Sequence, residues 1–189
     1  MKKYELTAEF IEQWGKKLFR IKALISFGSV EAGELGGYVE KEDNLAQDGD
    51  AWVCDNAWVC DNARVYGNAW VCDDARVYGN ARVCDNVMVC DNAWVCDNAW
   101  VCDDADYLLI GRIGSRFSFT TFFKNKDKGI TVSCGCFLGT IAEFRAKVTD
   151  THGNNKHAKM YNLAADMAEL QILGEEYFDK LNTNKSEPF

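Results

Sequence analysis

Residues 51–104 consist of nine consecutive copies of one six-residue unit. The copies read AWVCDN, AWVCDN, ARVYGN, AWVCDD, ARVYGN, ARVCDN, VMVCDN, AWVCDN and AWVCDD. Self-similarity at a short fixed period is the signature of a solenoid, because each unit cannot bury its apolar face alone and has to stack on its neighbours. The repeat therefore determines the architecture of the middle of the chain.

The unit itself predicts a short strand followed by a bend. Its alternation of small apolar and variable residues is the period-two pattern of a strand with one buried face. In the first copy, Ala51 and Val53 are expected to point inward, and Trp52 and Cys54 outward. Asp or Gly followed by Asn or Asp then supplies residues that tolerate left-handed backbone geometry at a corner.

The unit resembles the hexapeptide repeat of left-handed parallel β-helices, in which an aliphatic residue is followed four positions later by a small one. The pattern covers 54 residues without a gap, and all nine copies keep the Val. The resemblance implies left-handed winding, three units and thus eighteen residues per coil, and often a homotrimer, as in the trimeric acyltransferases with this solenoid. Two weaker units, 39–44 and 45–50, extend the solenoid at its N-terminal end.

The predicted fold class is mainly β: a left-handed parallel β-helix with an N-terminal β cap and a small C-terminal α+β module. Solenoids need ends that protect their open edges, and the N-terminal segment has a predicted strand at 17–24 and a Gly-rich stretch at 33–37. We divide the chain into a β cap at 1–38, the solenoid at 39–105, the α+β module at 106–175 and an acidic tail at 176–189.

The C-terminal module is predicted to be a β-meander followed by two helices. Thr140 and Glu143 fit a capping box at the start of the first helix. The order of elements is similar to a module of uncharacterised proteins of phages and gut bacteria that often adjoins hexapeptide solenoids, and this resemblance implies no activity. The predicted elements are strands at 107–110, 118–123 and 130–137, a Gly-rich basic loop at 111–116, and helices from 140 to about 151 and from 155 to about 173.

The charge is unevenly placed along the chain, whose formal net charge is −8. Residues 39–104 carry a net charge of −10 and residues 105–165 a net charge of +5. Corner Asp residues are typical turn formers on a solvated edge. An alternative interpretation is that the stacked carboxylates mimic the phosphates of a nucleic acid or bind cations.

No membrane or secretion signal is evident in the sequence. No apolar run approaches the roughly 18 to 20 residues needed to span a bilayer, and the N-terminal sequence is too polar for a signal peptide. We therefore expect a cytoplasmic protein, located in the host cytoplasm if a phage encodes it, that contacts neither membranes nor nucleic acid directly.

The nine cysteines predict neither a disulfide framework nor a metal centre. Seven of them occupy the fourth place of the repeat, so their number reflects copying of the unit. Coil stacking would place Cys54, Cys72 and Cys90 in one column at roughly 5 Å spacing, which permits a disulfide or a soft-metal ladder. Cys134, Cys136 and His152 are weak metal candidates, because their spacing is unlike that of a zinc knuckle.

Outward tryptophan and arginine side chains predict an interface between copies of the chain. Contiguous large apolar patches on a soluble rod usually mark an interface, and Arg can stack on Trp across it. The eighteen-residue coil places these side chains in three columns, which are Trp52, Trp70 and Met88; Trp58, Arg76 and Trp94; and Arg64, Arg82 and Trp100. We assign the five Trp and three Arg residues to this interface.

The chain lacks a convincing catalytic site. Acyltransferase solenoids use a histidine as general base, but the repeats contain none, and His152 and His157 lie at a predicted helix break where a histidine more often caps a helix. We predict a protein that is not an enzyme and uses no cofactor. A hexapeptide acyltransferase remains an alternative on fold analogy alone.

The Gly-rich basic loop and the strand after it predict a site for an anion. Glycines let backbone amides approach an anion, hydroxyls donate to it, and Arg pairs with phosphate through two hydrogen bonds. The predicted ligand-binding residues are Arg112, Gly114, Ser115, Arg116, Thr120 and Thr121. The predicted function is a non-enzymatic, homo-oligomeric binding or scaffold protein that sequesters an anionic, nucleotide-like molecule through this module or its subunit interfaces, as in phage anti-defence. The alternatives are the acyltransferase and an acidic nucleic-acid mimic or protein-interaction solenoid.

Overall fold

A computed structural model describes residues 2–174, so the predicted acidic tail lies outside the described residues. The fold is mainly β, with a β-solenoid of about four turns and two helices that follow a separate sheet. Contacts divide the chain into two units between Asp104 and Ala105. The predicted solenoid architecture is therefore confirmed, while its left-handed winding stays a prediction.

Three antiparallel strands begin the chain: β1 (Tyr4–Gln13), β2 (Lys16–Ala23) and β3 (Leu35–Val39). A tight turn at Trp14 and Gly15 joins the first two, and the φ values of 52° and 75° are the left-handed conformations that a two-residue hairpin turn requires. The sequence-based prediction included β2 but missed β1, although the alternation of apolar and polar residues from Tyr4 to Phe10 is the period-two pattern of a strand.

Each of the nine repeat copies contributes one two-residue strand to the solenoid. These strands are β4 (Trp52–Val53), β5 (Trp58–Val59), β6 (Arg64–Val65), β7 (Trp70–Val71), β8 (Arg76–Val77), β9 (Arg82–Val83), β10 (Met88–Val89), β11 (Trp94–Val95) and β12 (Trp100–Val101). Each of the first six pairs in parallel with the strand eighteen residues further along. The strands form three walls: β4, β7 and β10 the first; β5, β8 and β11 the second, which β3 extends; and β6, β9 and β12 the third.

The coil interior is filled by the Val of every copy and by the small residue two positions before it. All eighteen of these side chains are buried, as predicted from the period-two pattern. The backbone bonds between coils; for example, the Trp52 amide donates to the Ala69 carbonyl at 3.0 Å. Fully burying one Val side chain contributes on the order of 1.5 to 3 kcal/mol, so the stacked Val columns are the main apolar core of the solenoid.

The corners have the left-handed backbone that the sequence predicts. Six corner aspartates have φ between 54° and 61°, namely Asp55, Asp61, Asp73, Asp85, Asp91 and Asp97. In two copies Gly replaces Asp, and there φ is 72° at Gly67 and Gly79. A Cβ on Gly67 would lie 2.9 Å from the Asp85 amide nitrogen of the next coil, so glycine also provides the close approach between coils at this corner.

The first coil is irregular. Leu45 pairs with Val65, twenty residues further along, whereas Val53 pairs with Val71 at the usual eighteen. The buried Asn44 side chain compensates by donating to the Ala63 carbonyl at 2.9 Å. The two weak units predicted at 39–50 therefore do stack on the repeats, with two extra residues in the second of them.

The N-terminal segment covers two of the tryptophans that the sequence assigned to an oligomer interface. Trp52 is fully buried, with its ring centroid 6.3 Å from that of Tyr4 and 5.4 Å from that of Phe27. Trp58 is also buried, and its ring lies 4.8 Å from that of Trp14 at the tip of the hairpin. These two side chains are therefore not available for the predicted interface, because the chain itself already covers them.

Lys3 attaches the N-terminal segment to the first coil. Its side chain is buried, and the ammonium donates to the carbonyls of Asp48, Gly49 and Ala51 at 3.3, 3.2 and 2.8 Å. Burial lowers the pKa of Lys3 from 10.5 to about 8, although the carboxylates of Asp48 and Asp50 oppose the change. The folded chain thus holds a lysine in an environment that disfavours its charge.

The C-terminal unit is a four-stranded antiparallel sheet in sequence order, followed by two helices. Its elements are β13 (Tyr107–Ile113), β14 (Ser118–Lys124), β15 (Ile130–Cys134), β16 (Phe137–Thr140), α1 (Ile141–His152) and α2 (Lys156–Leu173). The predicted capping box is present, with Thr140 and Glu143 each accepting from the backbone amide of the other. The predicted strand 130–137 is two strands, because Gly135 turns the chain at φ 61°.

The helices pack on one face of this sheet through aromatic side chains. The Phe144 ring of α1 lies 5.7 Å from that of Phe122 and 5.6 Å from that of Tyr161, in both cases edge to face. The buried side of α2 includes Ala158, Tyr161, Ala165, Ala168 and Ile172. No helix within residues 2–174 has the length and apolar character needed to cross a lipid bilayer.

Replacing Lys3 by Met should lower the free energy of unfolding by about 2 to 4 kcal/mol, because three carbonyls lose their donor, and that of Ala51 is buried. Between pH 8 and 10.5 the unfolded wild-type chain holds a proton on Lys3 that the folded chain has lost. The free energy of unfolding of the wild-type protein should therefore rise with pH in this window. Lys3→Met should lack this contribution. Urea unfolding across the window measures both effects.

The control is Lys2→Met at the exposed neighbouring lysine, whose ion pair with Glu42 is solvent-accessible. Surface pairs of this kind contribute about 0 to 1 kcal/mol, so this variant should unfold almost like wild type. Equal stability losses in the two variants would show that Lys3 does not attach the N-terminal segment to the coil.

Candidate ligand cavity in the C-terminal module

A cavity of about 190 Å³ opens in the C-terminal module. Its walls come from the turn after β13, the start of β14, the turn between β15 and β16, and the two helices. The lining residues are Ser115, Arg116, Ser118, Cys134, Gly135, Cys136, Phe137, Phe144, Lys147, Val148, Thr151, His152 and Tyr161. The cavity therefore combines residues from five parts of the C-terminal module.

Basic side chains converge on this cavity. Arg116 comes from the turn before β14, and Lys147 and His152 come from α1. Within residues 2–174, no carboxylate lines the cavity. Lys147 also contacts Asp150 at 3.2 Å on the exposed side of α1, where solvent screens the pair. The electrostatic environment of the cavity thus favours an anion.

A sharp turn holds Arg116 over the cavity. Gly114 is buried with φ 71°, and a Cβ at this position would overlap the Tyr161 hydroxyl. Only glycine fits such a close approach to the helix. At the turn between β15 and β16, a Cβ on Gly135 would lie 3.2 Å from Nη1 of Arg116. The two glycines therefore let two turns approach each other and the helices closely enough to form the cavity.

Neutral side chains also line the cavity, among them Cys134 and Tyr161. The Thr120 hydroxyl, which does not line the cavity, donates to Sγ of Cys134 at 3.1 Å. Burial, together with Cys134, raises the pKa of Tyr161 to about 12, although Arg116 opposes the change. Tyr161 consequently keeps its proton at neutral pH and remains a hydrogen-bond donor.

The two histidines meet beside this tyrosine. The His152 ring stacks on that of Tyr161 with centroids 5.8 Å apart, and lies 5.8 Å from the His157 ring. Nδ1 of His157 is buried and has no hydrogen-bond partner within residues 2–174. His152 occupies the last turn of α1, as predicted, but its ring also forms part of the cavity wall.

The structure brings some of the predicted ligand residues together and excludes others. Ser115 and Arg116 line the cavity, but Arg112 is exposed at an irregular position of β13 and does not. Thr120 and Thr121 are almost completely buried on the central strand β14 and do not line the cavity. Their assignment as ligand-binding residues stays a prediction.

Sequence reasoning missed the contribution of the helices to the cavity. Lys147 and Thr151 lie four residues apart on one face of α1, the spacing that places two side chains side by side. Phe144 and Val148, which are also four residues apart, are buried in the core and line the cavity as well. The spacing of four residues along α1 was therefore the available signal. Tyr161 likewise belongs to the core and lines the cavity.

Cys134, Cys136 and His152 line the same cavity, but their ligand atoms do not form a close metal-binding cluster. Within the described residues, two other groups bring three such atoms within 4.8 Å, namely Cys84 with Asp85 and Cys102, and Glu40 with Cys60 and Asp61. The two sulfurs of the first group form a disulfide. In the second, Lys16 binds both carboxylates, and its hydrogen bond lowers the pKa of Asp61.

The remaining predicted interface residues are divided between the solenoid walls. Trp70 is half-buried on the first wall, and Arg76 lies between Trp58 and Trp94 on the second, 4.7 Å from the centre of the Trp94 ring. The third wall exposes Arg64, Arg82 and Trp100, and the Arg82 guanidinium lies 5.4 Å from the centre of the Trp100 ring. All three predicted interface residues of the third wall are therefore exposed.

The stacked strands and the eighteen-residue register make the N-terminal unit a β-solenoid. Residues 57–73, 69–85, 75–90 and 81–97 match the family described as the YdcK β-solenoid repeat. The matches lie within the repeat, so they indicate a YdcK-like solenoid and do not extend to the C-terminal module. A search of curated proteins found no match. The acyltransferase and trimer features of the hexapeptide resemblance receive no support from these comparisons.

An ion cluster joins the two helices that line the cavity. Nη2 of Arg145 on α1 lies 2.7 Å from Asp166 and 2.7 Å from Glu169, both on α2. Nη1 of Arg145 also donates to the Asn162 carbonyl at 3.3 Å. Glu169 is buried, so its charge depends on this partner. The cluster therefore sets the spacing of α1 and α2.

Replacing Arg145 by Met should lower the free energy of unfolding by about 3 to 5 kcal/mol, because it leaves the Glu169 carboxylate buried without its partner. Adding Glu169→Gln to that variant should recover part of the loss, since the buried charge is then removed. Lys159→Met, at an exposed position of α2, is the control and should have little effect. Urea unfolding of the three variants measures these effects. A double variant no more stable than Arg145→Met would contradict the role assigned to the Arg145–Glu169 pair.

Proposed function

We propose that the protein is a non-enzymatic binding protein whose C-terminal module holds a small anionic molecule and whose solenoid is a scaffold. The observation that carries the proposal is the convergence of Arg116, Lys147 and His152 on one cavity in which no carboxylate of residues 2–174 takes part. The charges of Arg116 and Lys147 come from two separate segments, and a bound anion would interact favourably with both.

The donor set is suited to a phosphate or carboxylate group. A guanidinium such as that of Arg116 binds these groups through two parallel hydrogen bonds, whereas Lys147 acts as a point charge. Ser115 and Thr151 add hydroxyl donors from opposite walls. To bind an anion fully, Lys147 has to leave Asp150, which costs little because their contact is exposed.

Aromatic side chains in the cavity lining limit the kind of molecule that can carry the anionic group. Phe137, Phe144 and Tyr161 also line the cavity, and aromatic rings stack well on a planar ligand. A phosphorylated aromatic compound, such as a nucleotide, matches this combination. At about 190 Å³ the cavity is below the roughly 300 Å³ of typical ligand pockets, so part of a nucleotide would project from it.

The biological setting of this proposal comes from resemblance alone. A phage protein of this type would sequester a nucleotide signal of host defence in the host cytoplasm. The acidic-mimic alternative is less favoured, because the corner carboxylates also bond between coils. Oδ2 of Asp73 accepts from the Asp91 amide at 3.0 Å, and Oδ2 of Asp55 accepts from the Asp73 amide at 3.4 Å.

Self-association through the third wall is a second proposal. Arg64, Arg82 and Trp100 are exposed there, whereas the N-terminal segment covers Trp52 and Trp58 on the other walls. An exposed tryptophan beside stacked guanidinium groups is typical of an interface core. The homotrimer implied by the hexapeptide resemblance would then form through this wall.

Arg116→Ala should weaken anion binding, while Arg112→Ala should not. Isothermal titration of the full chain with AMP, and separately with inorganic phosphate, measures both. Losing one charge-assisted pair costs about 1.5 to 3 kcal/mol, which corresponds to a loss of affinity of roughly 10- to 150-fold. Absence of binding of both probes to wild type, or equal losses in the two variants, would contradict a phosphate-type site at Arg116.

Trp100→Ala should lower the mass of the particle in sedimentation velocity, because it removes the large apolar side chain of the third wall. Met88→Ala, at an exposed residue of the first wall, should leave the mass unchanged. A wild-type particle at the 21.3 kDa of a single chain would contradict self-association.

A further inference from the structure

The first wall of the solenoid carries a column of thiols. Cys54, Cys72 and Cys90 follow strands that pair at the eighteen-residue register. The Cys54 amide donates to the Val71 carbonyl at 2.9 Å, and the Cys72 amide donates to the Val89 carbonyl at 3.0 Å. Neighbouring backbones of this column are thus one strand spacing apart, roughly 4.8 Å.

The sulfur atoms of neighbouring coils face each other. On the third wall, Cys84 and Cys102 have the same eighteen-residue offset, with Cα atoms 4.5 Å apart, and their sulfurs are bonded as a disulfide. On the first wall the cysteines are thiols, and Sγ of Cys54 donates to the Val71 carbonyl at 3.6 Å, directly beside Cys72 in the next coil. Both side chains are half-buried at the surface of the coil, so a small ion can reach them.

The other two columns do not offer such a pair. On the second wall Tyr78 lies between Cys60 and Cys96, which separates the thiols by two coils. On the third wall the adjacent cysteines are already linked to each other. Within the described solenoid, adjacent thiols in successive coils are therefore a feature of the first wall.

We propose that Cys54 and Cys72 form a two-coordinate site for a soft monovalent metal ion of the Cu(I) class. Thiolates are the ligands that Cu(I) prefers. Two metal–thiolate bonds of about 2.3 Å each, placed in line, span about 4.6 Å, which is close to the strand spacing of roughly 4.8 Å. Both thiols lose a proton on binding, and the ion keeps its oxidation state.

The charge of the wall helps to attract a cation. Asp55 and Asp73 directly follow the two cysteines and are exposed, and residues 39–104 carry a net charge of −10. A negatively charged surface raises the local concentration of cations and the rate at which they arrive. Selectivity for a soft ion then comes from the sulfur ligands, because hard cations prefer oxygen.

The test is a competition for Cu(I) with the chromophoric chelator bathocuproine disulfonate, under anaerobic conditions and with the full chain. Wild-type protein should withdraw Cu(I) from the chelator. Cys54→Ser and Cys72→Ser should each lose at least tenfold in Cu(I) affinity, since a hydroxyl is a poor ligand for this ion. The control is Cys136→Ser, which removes an exposed thiol of the C-terminal module and should bind like wild type.

Circular dichroism of both serine variants checks that the solenoid is folded, and X-ray absorption of the loaded wild-type protein gives a readout independent of the variants. The expected spectrum has two sulfur neighbours at equal distance from copper. The proposal is overturned if wild type withdraws no Cu(I), if both serine variants bind as tightly as wild type, or if copper has three or more sulfur neighbours. A Cys54–Cys72 disulfide in protein purified from a reducing cytoplasm would also overturn it.

Discussion

The eighteen-residue register of the coil is the constraint on which the N-terminal unit depends. Backbone bonds such as that from the Cys54 amide to the Val71 carbonyl, at 2.9 Å, hold each residue beside its equivalent in the next coil. Any residue type carried by the unit therefore becomes a column. Val columns fill the interior, Asp columns occupy left-handed corners, and cysteine columns place sulfur beside sulfur. A duplicated hexapeptide is enough to build all of these features, because stacking rather than local stability holds each short strand.

The end of such a stack needs a different solution, since the first coil has no earlier coil to pair with. The antiparallel strands β1 to β3 provide it by extending the second wall, and Lys3 anchors them with three carbonyl contacts. The same segment covers Trp52 and Trp58. A tryptophan that is outward in the repeat can thus be part of the core at one end of the solenoid and exposed at the other, as Trp100 is.

This dependence on position explains how far the sequence could predict the fold and the site. The repeat predicted the strands, the corners and the inward Val side chains, because those follow from local pattern alone. Burial of Trp52 could not be predicted from the repeat, since it depends on Tyr4 and Phe27, which lie outside the repeat. In the C-terminal module the capping box at Thr140 was predictable, but the burial of Thr120 depends on where β14 lies in the sheet. Lys147 joins Arg116 only through the packing of α1, which local pattern does not report.

Binding of an anion in the C-terminal cavity is the central claim about the function of this protein. Native mass spectrometry of the full chain, purified without added ligand from cells that contain its natural small molecules, tests this most directly. The account predicts a stoichiometric excess mass that disappears on denaturation, and a released compound that carries a phosphate or carboxylate group. A particle whose mass is accounted for by the polypeptide alone, or a released compound with no anionic group, would contradict it.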